Sequence, residues 1–510
     1  MNKSLLTLSL IPIASVMHTY GTSHVPDNRP NIILFLVDDM GWQDTSLPFW
    51  TQRTMYNERY ETPNMEKLAQ QGMMFTQAYA SSISSPTRCS LMTGCNASRH
   101  RVTNWKNTKT DAVSNTLEVP DWNYNGIAQV HGTNNTFIAT SFVQLLKDNG
   151  YHTIHCGKAH WGAIDTPGES PYHFGFETNI AGHAAGGPAT YLSERNYGYD
   201  EAGNSTSLFS VPGLEKYWGT GTFMTEALTQ EALKALDKAK KYNQPFYLYM
   251  SHYAIHVPID KDVRFYDKYK KKGLSDKEAA YASLIEGMDK SLGDIMDWLE
   301  KNGEADNTIV IFMSDNGGYA TGSGWRDEPL YTQNFPLKCG KGSAYEGGIR
   351  EPMIVRWPGT VQPGTRCNDY LIIEDFYPSI LEMAGIDDYD VPQEIDGISF
   401  VPLLKQTKNP SQGRSLYWNC PNIWGEKGPG IGPSCTIRKD NWKMIYFYET
   451  GEKELYDIPN DIEENNNVAA LYPQIINKLS KELGKFLRQT NGQRPSFKKT
   501  GKPCPWPDEI

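Results

Sequence analysis

The chain has 510 residues, 39% hydrophobic and 21% charged, the balance of a globular protein with room for one large domain and a smaller one. Its net charge of −10 and pI near 5.6, with no long basic run, argue against nucleic acid as the main partner. An anionic ligand would have to be met by a local cationic pocket.

The N-terminus has a short basic start at Lys3, then an apolar stretch from Leu5 to Met17 interrupted by Pro12. Residues 1–24 read as a cleavable export signal, with cleavage between Ala14 and His24. A bilayer span needs about 20 apolar residues; this stretch is shorter and no later one qualifies. The expectation is a periplasmic or secreted protein without a transmembrane segment. Eight cysteines are scattered, with no CxxC pair or zinc-type cluster. Cys420 and Cys435 lie close enough in sequence to be a candidate disulfide, a free buried thiol being the alternative for each.

Asn31 to Val37 is a continuous apolar run that stops at Asp38-Asp39, the pattern of a strand buried on both faces of a parallel sheet. Ser141 to Asn149 reads as a helix ending at Gly150, followed by a strand from Tyr151 to Cys156 and then Gly157-Lys158-Ala159-His160. Phe246 to Met250 is a further strand, running into a polar segment that contains His256. Tyr281 to Leu299 carries apolar residues at helical spacing with Gly303 as its stop, and Thr308 to Met313 is a strand leading into Asp315-Asn316. Residues 103–138 and 165–222 look like long loops over the sheet's ligand edge.

This alternation predicts a doubly wound α/β domain, mostly parallel and covered by helices, with ligands at the strand C-termini. It spans residues 25–400. Residues 401–510 read as a smaller α+β subdomain, with strands from Ser434 to Tyr448 and a terminal helix near Pro473 to Gln489.

The most informative run is Ser84-Ser85-Pro86-Thr87-Arg88, followed by Leu91-Met92-Thr93-Gly94. Pro86 disfavours the α region at Ser85, so a turn is expected there, with a helix starting at Leu91-Met92. Helix-start amides and the Arg88 guanidinium would suit an oxyanion. Asp38, Asp39, Asp315 and Asn316, at two strand ends, offer hard oxygen donors without thiolate or imidazole, which favours calcium over zinc.

The Ser84 run, with the Ser98-Arg99-His100-Arg101 that trails it, resembles the signature of type I sulfatases in the alkaline phosphatase superfamily, in the serine-type branch. Thr87 stands where serine is commoner. The resemblance implies an alkaline-phosphatase-like fold and oxidation of Ser84 to formylglycine (3-oxoalanine) by a radical maturating enzyme. It also implies one calcium ion held by Asp38, Asp39, Asp315, Asn316 and the modified Ser84. Lys158 and His160 match the sulfate-binding lysine and the histidine on the formylglycine hydroxyl. His256 matches the histidine beside the leaving oxygen, and Lys341 the second sulfate-binding lysine. Ile349-Arg350-Glu351-Pro352 and Glu454-Leu455-Tyr456-Asp457 extend the resemblance over nearly the whole chain.

The expected reaction is hydrolysis of a sulfate ester. Calcium, Arg88, Lys158 and Lys341 would offset the ester's negative charge while a hydroxyl of the hydrated aldehyde attacks sulfur. His256 is the expected general acid, assisted by Lys341, and His160 the base that releases sulfate. The export signal, the serine-type nucleophile and the aromatic and polar loops around Gly182 to Gly187 point to a sulfated carbohydrate. His183, Arg101, Asn104 and Trp105 are the candidate substrate contacts. The alternatives are a phosphodiester or phosphonate hydrolase of the same superfamily, and a sulfoglycan-binding protein left unmodified at Ser84.

Overall fold

The computed structural model describes residues 29–109, 117–118 and 124–510. The expected export signal falls outside them, as does part of the 103–138 loop. The central sheet draws on β1 (Asn31–Val37) and β2 (Met73–Tyr79). After the short pair β3 (Ile127–Ala128) and β4 (Phe137–Ile138), it adds β5 (His152–Gly157), β6 (Thr178–Ile180), β7 (Phe246–Ser251), β8 (Thr308–Ser314) and β9 (Arg350–Arg356), then β10 (Thr365–Cys367) and β11 (Leu371–Ile372). The strand order is β10-β2-β9-β8-β1-β7-β5-β6, with β11 also on β2. Every pairing is parallel except those of β9, which runs against both β2 and β8. The mostly parallel α/β sheet is therefore as expected, and β9 is an insertion that the strand-helix alternation did not announce.

Strand β1 sits at the centre, buried along its whole length. Its alternate residues feed two cores: Ile33, Phe35 and Val37 face one side, Ile32, Leu34 and Leu36 the other. The first core is closed by helices Met224–Ala239 and Asp276–Asn302, the second by helices Phe142–Asp148 and Phe376–Met383. The long helix starts on a Ser275 hydroxyl that accepts the Glu278 amide, and ends on Gly303 at φ 71°. Within the long stretches 103–138 and 165–222 the chain forms the short strands β3, β4 and β6 and several single helical turns.

A second, antiparallel sheet follows: β12 (Ser415–Cys420), β13 (Ser434–Lys439), β14 (Trp442–Phe447) and β15 (Lys453–Asp457). Ile437, Met444 and Leu455 pack under it against Ile476, Leu479, Leu483 and Leu487 of helix Pro473–Gln489. The candidate disulfide is absent. Cys420 pairs with Ser434 and Cys435 with Asn419, so the two thiols leave opposite faces of the sheet, and both are free.

Candidate active site

Strands β8, β1, β7 and β5 are adjacent and parallel, so their C-terminal ends share one edge. Asp315 and Asn316 follow β8, Asp38 and Asp39 follow β1, His256 follows β7, and Lys158 and His160 follow β5. The antiparallel β9 starts at that same edge, which brings in Lys341 just upstream. Strand β2 ends there too and delivers Ser84.

Ser84 opens the helix Ser84–Thr93, a full turn or more before the expected start at Leu91-Met92. Ser85 is helical although Pro86 follows it. The first turn has no inward amide partners to lose, so proline is tolerated there. Thr87 donates to the Ser81 carbonyl at 3.2 Å and accepts the Ser81 amide at 2.9 Å, which any hydroxyl residue could do.

The Ser84 hydroxyl lies 3.1 Å from both Asp38 Oδ1 and Asn316 Oδ1 and accepts from Lys158 Nζ at 3.0 Å. Lys158 also meets Asp38 Oδ2 at 2.6 Å, and Lys341 Nζ meets Asp39 Oδ1 at 2.7 Å. Arg88 is wholly buried and grips Asp315 Oδ2 through both Nε and Nη2 at 2.8 Å, with Ser251 Oγ accepting from Nη1 at 2.5 Å. Asn316 Nδ2 donates to Asp39 Oδ1 at 2.8 Å. Carboxylate oxygens of Asp38, Asp39 and Asp315 approach within 4.8 Å of one another. Three buried carboxylates thus face three buried cations. The donors are carboxylate, amide and hydroxyl oxygens only, a set that fits a hard divalent cation such as calcium.

Burial pulls the Lys158 ammonium down to about 8 against the pull of Asp38, with Arg88 and Lys341 adding to the lowering. Lys341 moves up, because Asp39 and Asp38 outweigh its burial. Burial and then the cations Lys158 and Arg88 hold His160 well below the usual imidazole range. His256 is lowered by burial and by Lys341. Its Nδ1 must carry the proton, because Nδ1 lies 2.7 Å from the Val257 carbonyl, which can only accept. The 3.8 Å approach of Nε2 to Asp39 is therefore not an ion pair, and a lone pair faces the pocket. His160 reaches Ser85 Oγ at 3.0 Å rather than Ser84.

A cavity of about 410 Å³ opens above this floor. Ser84, His160, His256 and Lys341 line it together with Trp105, Asn107, Leu208, Phe209, Tyr319, Trp325, Trp424 and Glu426. Of the candidate substrate contacts, Trp105 alone is in this wall. Asn104 donates to the Ile423 carbonyl at 2.8 Å, so it fastens a loop. Arg101 caps a short helix at φ 63° and lies over the Tyr124 ring. His183 gives its carbonyl to the His160 amide at 3.4 Å and sets its ring beside Tyr253. The segment around His183 acts through its glycines: a Cβ at Gly186 would stand 2.5 Å from the His160 ring, and one at Gly187 2.6 Å from His256. Trp325, Trp424 and Glu426 were not singled out from the sequence, since isolated aromatic and acidic residues in loops carry no spacing signal.

The Sulfatase family model matches residues 30–386, and the model described as N-sulphoglucosamine sulphohydrolase, C-terminal, matches residues 340–490. Over 97% of this chain and 95% of its own length, a protein of Formosa agariphila named Sulfatase is 28% identical. Human N-acetylgalactosamine-6-sulfatase is 29% identical over 81% of this chain and 76% of its own. A solved structure of Ps i-CgsB in complex with k-i-k-neocarrahexaose superposes with a TM-score of 0.70 at 27% identity, covering 90% of this chain and 93% of that one.

Proposed function

Since the chain belongs to the sulfatase family of the alkaline phosphatase superfamily and is a sulfuric ester hydrolase, we propose that it is an exported, calcium-dependent sulfatase acting on a sulfated carbohydrate, with Ser84 matured to formylglycine. The observation that carries this reading is the Ser84 hydroxyl, set at a pocket floor between Lys158 on one side and Asp38 and Asn316 on the other. The carbohydrate draws support from the relatives: one is named N-acetylgalactosamine-6-sulfatase, and one was solved in complex with k-i-k-neocarrahexaose.

Asp38, Asp39, Asp315 and Asn316, with the residue-84 oxygen, would hold calcium, which supplies Lewis-acid charge that offsets the ester's and acidifies a hydroxyl at residue 84. Formylglycine supplies, as its hydrate, two hydroxyls on one carbon, so that sulfate can leave by carbonyl formation. The protein's own groups do the rest. Arg88 fixes Asp315 and so the carboxylate triad. Lys158 and Lys341 carry the positive charge at the cavity floor that holds sulfate in place. Lys341 stands protonated beside the pocket and can assist by giving a proton to the leaving oxygen as negative charge develops there. His256, neutral with Nε2 open, takes up a proton before it can give one to that oxygen, and the incoming anion favours this. His160 is neutral and hydrogen-bonds Ser85, the neighbour of residue 84, from where it would serve as the base.

The test is a paired assay of sulfate and phosphate esters on protein produced with a serine-type maturating enzyme, alongside metal analysis. The expected result is calcium and a preference for sulfate esters. Zinc with a phosphate preference would replace this reading by that of a phosphoester hydrolase.

A further inference from the structure

Residues 421–433 join β12 to β13, which pair in register up to Cys420 and Ser434. A hairpin needs only about two to five residues for that turn. The surplus folds over the Ser84 cavity and is fixed on several sides. Trp105 Nε1 donates to the Trp424 carbonyl and Asn104 to the Ile423 carbonyl, each at 2.8 Å. Ser343 Oγ donates to the Pro429 carbonyl at 2.8 Å. Gly342, at φ +83°, lies so close to the Trp424 ring that a Cβ would stand 2.5 Å from it. Tyr319 meets the same ring edge-on with centroids 6.1 Å apart, and Lys341 Nζ lies 5.4 Å from its centroid. Trp424 is thus a rigid wall contributed by the smaller sheet to the site of the larger.

Charge along the cavity is polarised. Of the residues that line it, Lys341 and Glu426 alone carry standing charge. Lys341 lies at the floor and is matched by Asp39. Glu426 has no ion-pair or hydrogen-bond partner among the described residues, and it shares its wall with Trp105, Tyr319, Trp325 and Trp424. An unpaired carboxylate on the wall of a half-enclosed cavity repels an anion more strongly than it would in open water, and offers hydroxyls a strong acceptor.

Building on the sulfatase reading, we infer that the 421–433 loop sets specificity: Trp424 seats the sugar ring, and Glu426 admits a ring whose sulfate is its only anionic group. A ring with a second sulfate or a carboxylate would place that charge against Glu426. A neutral hexose ester would present hydroxyls there.

Binding separates this inference from the reading beneath it. Unmatured protein, with Ser84 intact and calcium present, is titrated calorimetrically with a hexopyranose monosulfate and with the same sugar bearing a second sulfate on the neighbouring carbon. The monosulfate should bind at least tenfold more tightly. The isosteric Glu426→Gln should narrow that ratio about tenfold, by strengthening the disulfate. Trp424→Ala should weaken both sugars tenfold or more, with Trp424→Tyr recovering part of the loss. Equal binding of the two sugars by the native protein, or a ratio untouched in Glu426→Gln, overturns the inference. Absence of sulfate release by matured protein from either sugar and from an aryl sulfate would overturn the sulfatase reading, while the binding ratios still decide the role of Glu426.

Discussion

Gly186 and Gly187 contribute by having no side chain, since the His160 and His256 rings occupy the space where a Cβ would be. Gly187→Ala should therefore push the His256 ring off its position, cutting turnover tenfold or more with little change in thermal midpoint. Unchanged turnover would remove His256 from proton transfer. Arg88→Lys makes a second test at this scale. Lysine keeps the charge but loses the two-pronged grip on Asp315, so calcium affinity should fall tenfold or more, read by metal titration. At this scale the sequence was most legible where residues are adjacent to a strand end. Asp38, Asp39, Lys158, His160, Asp315 and Asn316 each follow a strand directly, so a strand prediction also placed them. Arg101, Asn104 and His183 were polar residues in loops, and polarity alone does not say whether a loop side chain faces a ligand or its own backbone.

Among elements, the short turn Ile373–Asp375 meets Asn96, three residues past the end of the helix Ser84–Thr93. Glu374 accepts there from Asn96 Nδ2 at 2.7 Å, while its other oxygen has no partner. Burial pushes its carboxyl up to about 8 from an ordinary value of 4.5. The folded state holds this proton more tightly than the unfolded state, so the stabilising difference is complete below pH 4.5 and fades as pH rises to 8. Glu374→Gln keeps the shape without the charge. It should raise the unfolding free energy at pH 8 and above by an amount on the order of a few kcal/mol, read by urea unfolding, and hardly change it at pH 4. An equal shift at all pH values would contradict the assignment. The helix Ser84–Thr93 was misplaced at this scale for a physical reason: the rule that proline disfavours helix at the preceding residue weakens in a first turn, where the usual hydrogen bonds are not yet made.

For the molecule as a whole, the two sheets are joined by a buried charge cluster. Glu346 meets Lys443 of β14 at 3.1 Å, Tyr79 of β2 at 2.7 Å and Arg350 of β9 at 3.2 Å, while Lys443 also meets Glu464 at 2.9 Å. Burial opposes the charge on Glu346, yet Lys443, Arg438 and Arg350 hold its carboxyl below the usual range. Glu346→Gln leaves those cations short of an anion and should cost about 3–5 kcal/mol, measured by urea unfolding. A loss near zero would mean that the sheets are held by apolar packing alone. The make-up of the cavity was not readable from composition: Trp424 belongs to the second sheet in sequence, yet it lines the cavity at the edge of the first. Sheet order, and with it the arrival of Lys341 ahead of an antiparallel strand, is set by long-range pairing that no local pattern records.

Turnover hinges on the chemistry of residue 84. Peptide mass spectrometry across preparations made with graded amounts of a serine-type maturating enzyme tests it directly. The prediction is that sulfate release rises in proportion to the fraction of peptide lacking two hydrogens at Ser84, and vanishes where none is converted. Full activity in protein whose Ser84 retains both hydrogens would contradict it.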